Sequence, residues 1–201
     1  MEEKQLSEQE SLALISNMIS KAKNHYYESG LGALLWGFTN VICFTLAYLE
    51  ASVKWFHMPF NPFYLMVITF ILQFYFDQKE KRFQKAVTYK DEAHHYVWMA
   101  FLISLLTLVI AGGIAKIGYI VLPMLLLLFA IPTFISGCIN KFRPFIIGVI
   151  TCWVLCIIAF FSQSHFTYLL VALGAVIAWI IPGFILRKRF YKNIANQRNG
   201  I

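Results

Sequence analysis

The sequence predicts an all-α, polytopic membrane bundle of six transmembrane helices, with an N-terminal cytoplasmic amphipathic helix and both termini in the cytoplasm. Three observations predict it. Hydrophobic residues make up 59% of the 201-residue chain and charged residues 13%, with mean hydropathy +0.65, beyond ordinary globular usage. Apolar runs at about 31–49, 58–76, 96–115, 117–137, 144–161 and 166–186 each approach the ~20 residues a helix needs to cross the hydrocarbon core. Of the 17 Lys and Arg, only Lys54 and Lys116 fall on one side of these runs, and cytoplasmic loops are the ones that keep positive charge. The net charge of +7 is then mostly a topology signal and a contact for anionic headgroups, and no direct nucleic-acid binding is expected from it.

Residues 1–30 read as a cytoplasmic helix beginning near Glu8. Ser7 and Glu10 have capping-box spacing, and Lys21 and Lys23 suit the negative helix end. Leu12, Ile15, Ile19, Ala22 and Tyr26 form an apolar stripe opposite Asn17, Lys21 and Asn24, which suits the inner membrane surface, the underside of the bundle or a partner. The first apolar run has no small-residue cleavage pattern behind it and reads as a retained span. It carries Trp36 and Asn40, one turn apart; the second carries Thr69 and Gln73, also one turn apart.

From Asp77 to His95 there is neither Gly nor Pro, so the second and third spans are expected to continue as helices into the cytoplasm around a short turn. Lys79, Lys81, Arg82 and Lys85 make that loop basic. Asp91, Glu92, His94 and His95 lack both a phosphate-binding loop and further metal ligands, so no metal is assigned. The fourth and sixth spans contain Pro132 and Pro182, each freeing a carbonyl one turn earlier and permitting a kink. The strings around them, Ile131-Pro132-Thr133-Phe134-Ile135 and Ile181-Pro182-Gly183-Phe184-Ile185, hint at a repeated helical hairpin offset by about fifty residues. Residues 187–201 form a basic cytoplasmic tail, and residues 31–186 the transmembrane domain.

No Asp, Glu, Lys, Arg or His lies near a span centre, which argues against an ion-driven pump, and neither a Ser-His-acid set nor His-Glu-x-x-His is present. No catalytic residue, metal or cofactor is assigned. Cys43, Cys152 and Cys156 fall inside spans and Cys138 beside a cytoplasmic end, so they are read as inert thiols and not as a disulfide framework. Trp36, Asn40, Thr69, Gln73, Thr133 and Ser136 all occupy the inner halves of their spans and are the candidate ligand pocket. Ordinary hydrogen bonding between membrane helices, at ~0.6 kcal/mol per pair, is the competing role for the same residues.

These features favour a non-enzymatic inner-membrane protein that senses or scaffolds through lipid or an apolar ligand and a cytoplasmic regulatory partner, as a monomer or a homo-oligomer. A facilitator for an uncharged or lipidic substrate is the second reading. A lipid-active enzyme using Asp77, Asp91, His94 and His95 is the third.

Leu34-Leu35-Trp36-Gly37, Pro132-Thr133-Phe134 with Gly137, Lys141-Phe142-Arg143-Pro144 with Gly148, Cys152-Trp153 and Trp179-Ile180-Ile181-Pro182-Gly183 together give the chain a family likeness. So does the amino-terminal Gln9-Glu10-Ser11-Leu12-Ala13-Leu14-Ile15 with Ala22-Lys23-Asn24. Over nearly its whole length the chain resembles uncharacterised small membrane proteins of Bacteroidetes-type bacteria. The resemblance implies a bacterial inner membrane. Through the small winged-helix regulators encoded beside such proteins, it also implies a sensing or regulatory role, and it assigns no residue an activity.

Overall fold

The computed structural model describes residues 30–53, 55–83, 89–162 and 164–198, and all regular structure among them is helical. In order, the elements are α1 (Leu31–Ser52), α2 (Tyr64–Phe83), α3 (Tyr89–Ala115), α4 (Gly118–Ile139), α5 (Arg143–Ser162) and α6 (Phe166–Ala175). A five-residue π-helical turn (Val176–Ile180) then joins α6 to α7 (Ile181–Arg198). The expected helix over residues 1–30 lies outside the described residues.

Five helices are long and apolar enough to cross a membrane: α1, α3 from Glu92, α4 from Ile120, α5, and the rod from Phe166 to Lys192 that contains the π turn. That is the make-up of a multi-pass membrane protein. The apolar part of α2 is shorter, Tyr64–Phe76. The run at 58–76 therefore enters its helix later than the sequence suggests, and the local chemistry explains why. Pro59 and Pro62 supply no backbone N–H, and Asn61 Oδ1 instead accepts the N–H of Phe63 at 3.0 Å, an Asx turn that starts the helix. At the far end α2 continues to Phe83 and α3 begins at Tyr89, so both helices run past their apolar segments as the absence of Gly and Pro predicts. The basic tail is likewise no separate segment as far as Arg198: α7 carries it as a continuation of the apolar rod that begins at Phe166.

Contacts between neighbouring helices fix an up-and-down arrangement. Thr39 meets Thr69 and Gly32 meets Gln73, so α1 and α2 are antiparallel; Ser136 meets His94, Gly112 meets Val121, and Cys156 reaches Pro123, which sets α3, α4 and α5 antiparallel in turn. The α3–α4 and α4–α5 connections are sharp turns of one kind. The Ile117 N–H bonds Gly112 O and the Phe142 N–H bonds Gly137 O, with Lys116 (φ 55°) and Lys141 (φ 50°) in the left-handed position that helix ends usually give to glycine.

The rod from Phe166 to Lys192 is the centre of the bundle. Its α6, π turn and α7 pack against α1 on one side and α5 on another, and α6 also meets α4. Phe129, Ala130, Val149, Cys152, Val171 and Trp179 belong to the core these helices share. By contrast α2 rests on α1, α3 rests on α4, and only 11% of the α3 span is buried against 50% in α4 and in the sixth rod. Exposed apolar side chains on α2 and α3, such as Ile71, Phe74, Ile103 and Ile110, are thus on the bundle's periphery.

Candidate functional site

Pro182 explains the π turn. A proline ring clashes with the carbonyl four residues back, here Ala178, and has no N–H to offer it. The chain widens just before the ring, so that the N–H of Ile181 bonds Val176 O, five residues back. Glycines on both neighbours make room for the swelling. A Cβ on Gly148 of α5 would lie 2.8 Å from Ile177 O and 2.7 Å from Ala178 Cα, and one on Gly37 of α1 would lie 2.7 Å from Ile180 Cγ1. Pro132, in the similar string of α4, has no such widening: α4 is α-helical throughout, so the two strings differ in local backbone.

Around this bulge the six pocket candidates fall into separate pairs. Thr133 (2% exposed) accepts the indole N–H of Trp179 at 2.9 Å and donates to Phe129 O at 2.8 Å, joining α4 to the π turn. Ser136 stands 3.3 Å from His94 Nδ1, joining α4 to α3. Thr69 lies 2.7 Å from Thr39; because Thr39 also donates to Leu35 O at 2.9 Å, Thr69 is the donor between them. Gln73 packs its amide over Gly32, where a Cβ would come within 3.0 Å of Nε2. Trp36 packs against the core, and its carbonyl accepts Asn40 Nδ2 at 2.8 Å. The structure thus brings Thr69 and Gln73 together with α1, and Thr133 together with Trp179, without gathering all six around one cavity.

Asn40 differs from the rest. It is 1% exposed, and its Oδ1 has no hydrogen-bond donor among the described residues. It shares the buried face of α1 with Gly37 and Phe44, the face that seats the π turn. An unmatched amide oxygen at this depth is costly, of order 1–3 kcal/mol, and is the strongest local sign of a missing partner.

Two residues that sequence reading passed over are central. Neither was among the pocket candidates, yet Thr39 pairs with Thr69 and Trp179 with Thr133. Trp179 in fact ends a line of rings through Phe129, Phe101 and Trp98 to His94, with successive centroids 5.0, 5.8, 5.5 and 6.0 Å apart. The line connects the bulge to the basic end of the molecule. There, Arg189 of α7 lies over the Phe142 ring at 5.0 Å, and Arg187 bonds Tyr191 Oη at 3.1 Å. Gly30, with φ 70°, lies so close to α7 that a Cβ would be 2.8 Å from Gly183 O.

The thiols have local partners: Cys43 Sγ donates to Pro62 O at 3.2 Å, Cys156 Sγ to Pro123 O at 3.3 Å, and Cys152 Sγ faces Gly174 O at 3.7 Å. Among the described residues no three of His, Cys, Asp and Glu are grouped so as to hold a metal ion. Compared with known protein families, curated proteins and solved structures, the chain has no significant match.

Proposed function

We propose that this chain is a six-span protein of a bacterial cytoplasmic membrane, with both termini inside, that acts without catalysis as a sensor or scaffold. A lipid or apolar molecule with a hydrogen-bond donor meets Asn40 beside the bulge of the sixth span, and α7 carries the response to a cytoplasmic partner. The observation that carries this reading is the rod itself. One helix joins a proline-induced bulge at the bundle centre to the basic residues Arg187, Lys188, Arg189 and Lys192. A change in the bulge alters both the tilt and the phase of that basic end. Uncharged spans support the same reading, since ion-driven transport needs ionisable groups at membrane depth. Coupling of this kind requires two states with different affinity for the ligand.

A photo-crosslinking residue at Lys188, in cells expressing the full chain, tests it. A cytoplasmic protein is expected to crosslink in the wild-type background, with its yield changed severalfold by Thr133→Val, which removes the partner of the Trp179 indole. That variant should remain folded, at a cost of about 1–3 kcal/mol. A yield that Thr133→Val leaves unchanged would contradict coupling through the bulge.

A further inference from the structure

The end of the bundle away from the basic residues of α7 carries an open groove of about 410 Å³, formed by the last turn of α1, the connector before α2, and Tyr168 of α6. Its volume is in the range of small-molecule sites. The chain has ten Asp and Glu; five lie within residues 1–28 and four within 77–92, which leaves Glu50, and Glu50 lines this groove. No hydrogen bond or ion pair engages Glu50 among the described residues. Phe60, Phe63 and Tyr168 add aromatic faces to the same lining.

The walls are held in place. Cys43 donates to the connector at Pro62 O, Phe63 stacks edge-on against the buried Phe44 at 5.5 Å, and Asn61 Oδ1 is occupied by the Phe63 N–H. The Asn61 amide N–H groups remain to donate. Directly after the groove, Tyr64, Val67, Ile68 and Ile71 form an exposed strip along α2 at helical spacing, each more than half exposed. A carboxylate with aromatic neighbours suits an organic ammonium, through ion pairing and attraction to the ring faces. A polar recess continuing into an apolar strip has the form of a headgroup with its acyl chain.

We propose that this groove is a binding site for a phospholipid with an ammonium headgroup, of the phosphoethanolamine type. The ammonium lies at Glu50 among the rings, a phosphate oxygen accepts from Asn61, and an acyl chain follows the α2 strip. The site is independent of the sensing role proposed above.

The test uses the full chain in micelles doped with equal phosphatidylethanolamine and phosphatidylglycerol, with bound lipid read by native mass spectrometry. Wild type is expected to retain the ethanolamine lipid about fivefold over the glycerol lipid, the scale of one exposed ion pair with a ring contact. Glu50→Gln should bring the ratio near parity, and Phe60→Ala should lower it about twofold. Glu92→Gln, an exposed carboxylate at the opposite end, should leave it unchanged. Equal retention by wild type, an unchanged ratio in Glu50→Gln, or the same loss in Glu92→Gln would overturn the proposal.

Discussion

Asn40 is the residue on which the proposed sensing role turns. Its amide N–H₂ bonds within its own helix to Trp36 O, while Oδ1 is buried without a donor among the described residues. Replacing an unmatched buried acceptor by an apolar side chain of similar size is close to neutral or stabilising. Asn40→Leu should therefore unfold in detergent within about 1 kcal/mol of wild type, or above it, and yet lose, of the molecules that co-purify with wild type, the one whose retention does not depend on Glu50. Undiminished retention by the folded variant would remove Asn40 from the site. Depth along a span could be read from sequence, which placed Asn40, Thr69 and Thr133 in the inner halves of their spans; that all three are buried is seen only in the packed helices. Which partner each would choose was not legible. The Thr133–Trp179 and Thr39–Thr69 bonds join residues 46 and 30 positions apart, and only the packing of helices decides such pairs.

At the scale of elements, proline was legible and its consequence was not. Pro132 and Pro182 sit in near-identical strings, but only Pro182 is preceded by a π turn. The difference lies in the neighbours: Gly37 and Gly148 leave space beside the π turn, where a Cβ would meet Ile177, Ala178 or Ile180. Gly148→Ala should destabilise the protein by about 1–3 kcal/mol, because the added methyl meets backbone of Ile177 and Ala178 that cannot swing away. Gly113→Ala, where nothing lies within 4 Å, should be neutral or slightly stabilising. Reversible unfolding of the two variants under one set of conditions checks the contrast. Equal effects would mean that the bulge is not held by close packing. The start of α2 teaches the same lesson. Hydropathy runs through Met58–Phe63, but the prolines and Asn61 keep that stretch out of the helix, and backbone chemistry overrides apolar composition.

For the whole molecule, the apolar runs lead directly to the helical bundle, and five of its helices have the length and composition of spans. The arrangement around the α6–α7 rod, with α2 and α3 outermost, depends on contacts that no single segment encodes. The topology hinges on α2. Its apolar portion of Tyr64–Phe76 covers about 20 Å at 1.5 Å per residue, less than the ~30 Å hydrocarbon core, while its antiparallel pairing with α1 supports a full crossing. Six crossings place Trp55 on the far side from Lys188; with α2 failing to cross, residues on the two sides of α2 would share a compartment. Single-cysteine labelling with a membrane-impermeant maleimide decides this most directly, using Trp55→Cys (85% exposed at wild type), Glu92→Cys and Lys188→Cys in a background without the native thiols. With six crossings and both termini inside, Trp55→Cys labels in intact cells stripped of any outer barrier, and Glu92→Cys and Lys188→Cys label only after the membrane is opened. Labelling of Trp55→Cys and Glu92→Cys from the same side would contradict the six-span bundle and, with it, the cytoplasmic placement of the basic end.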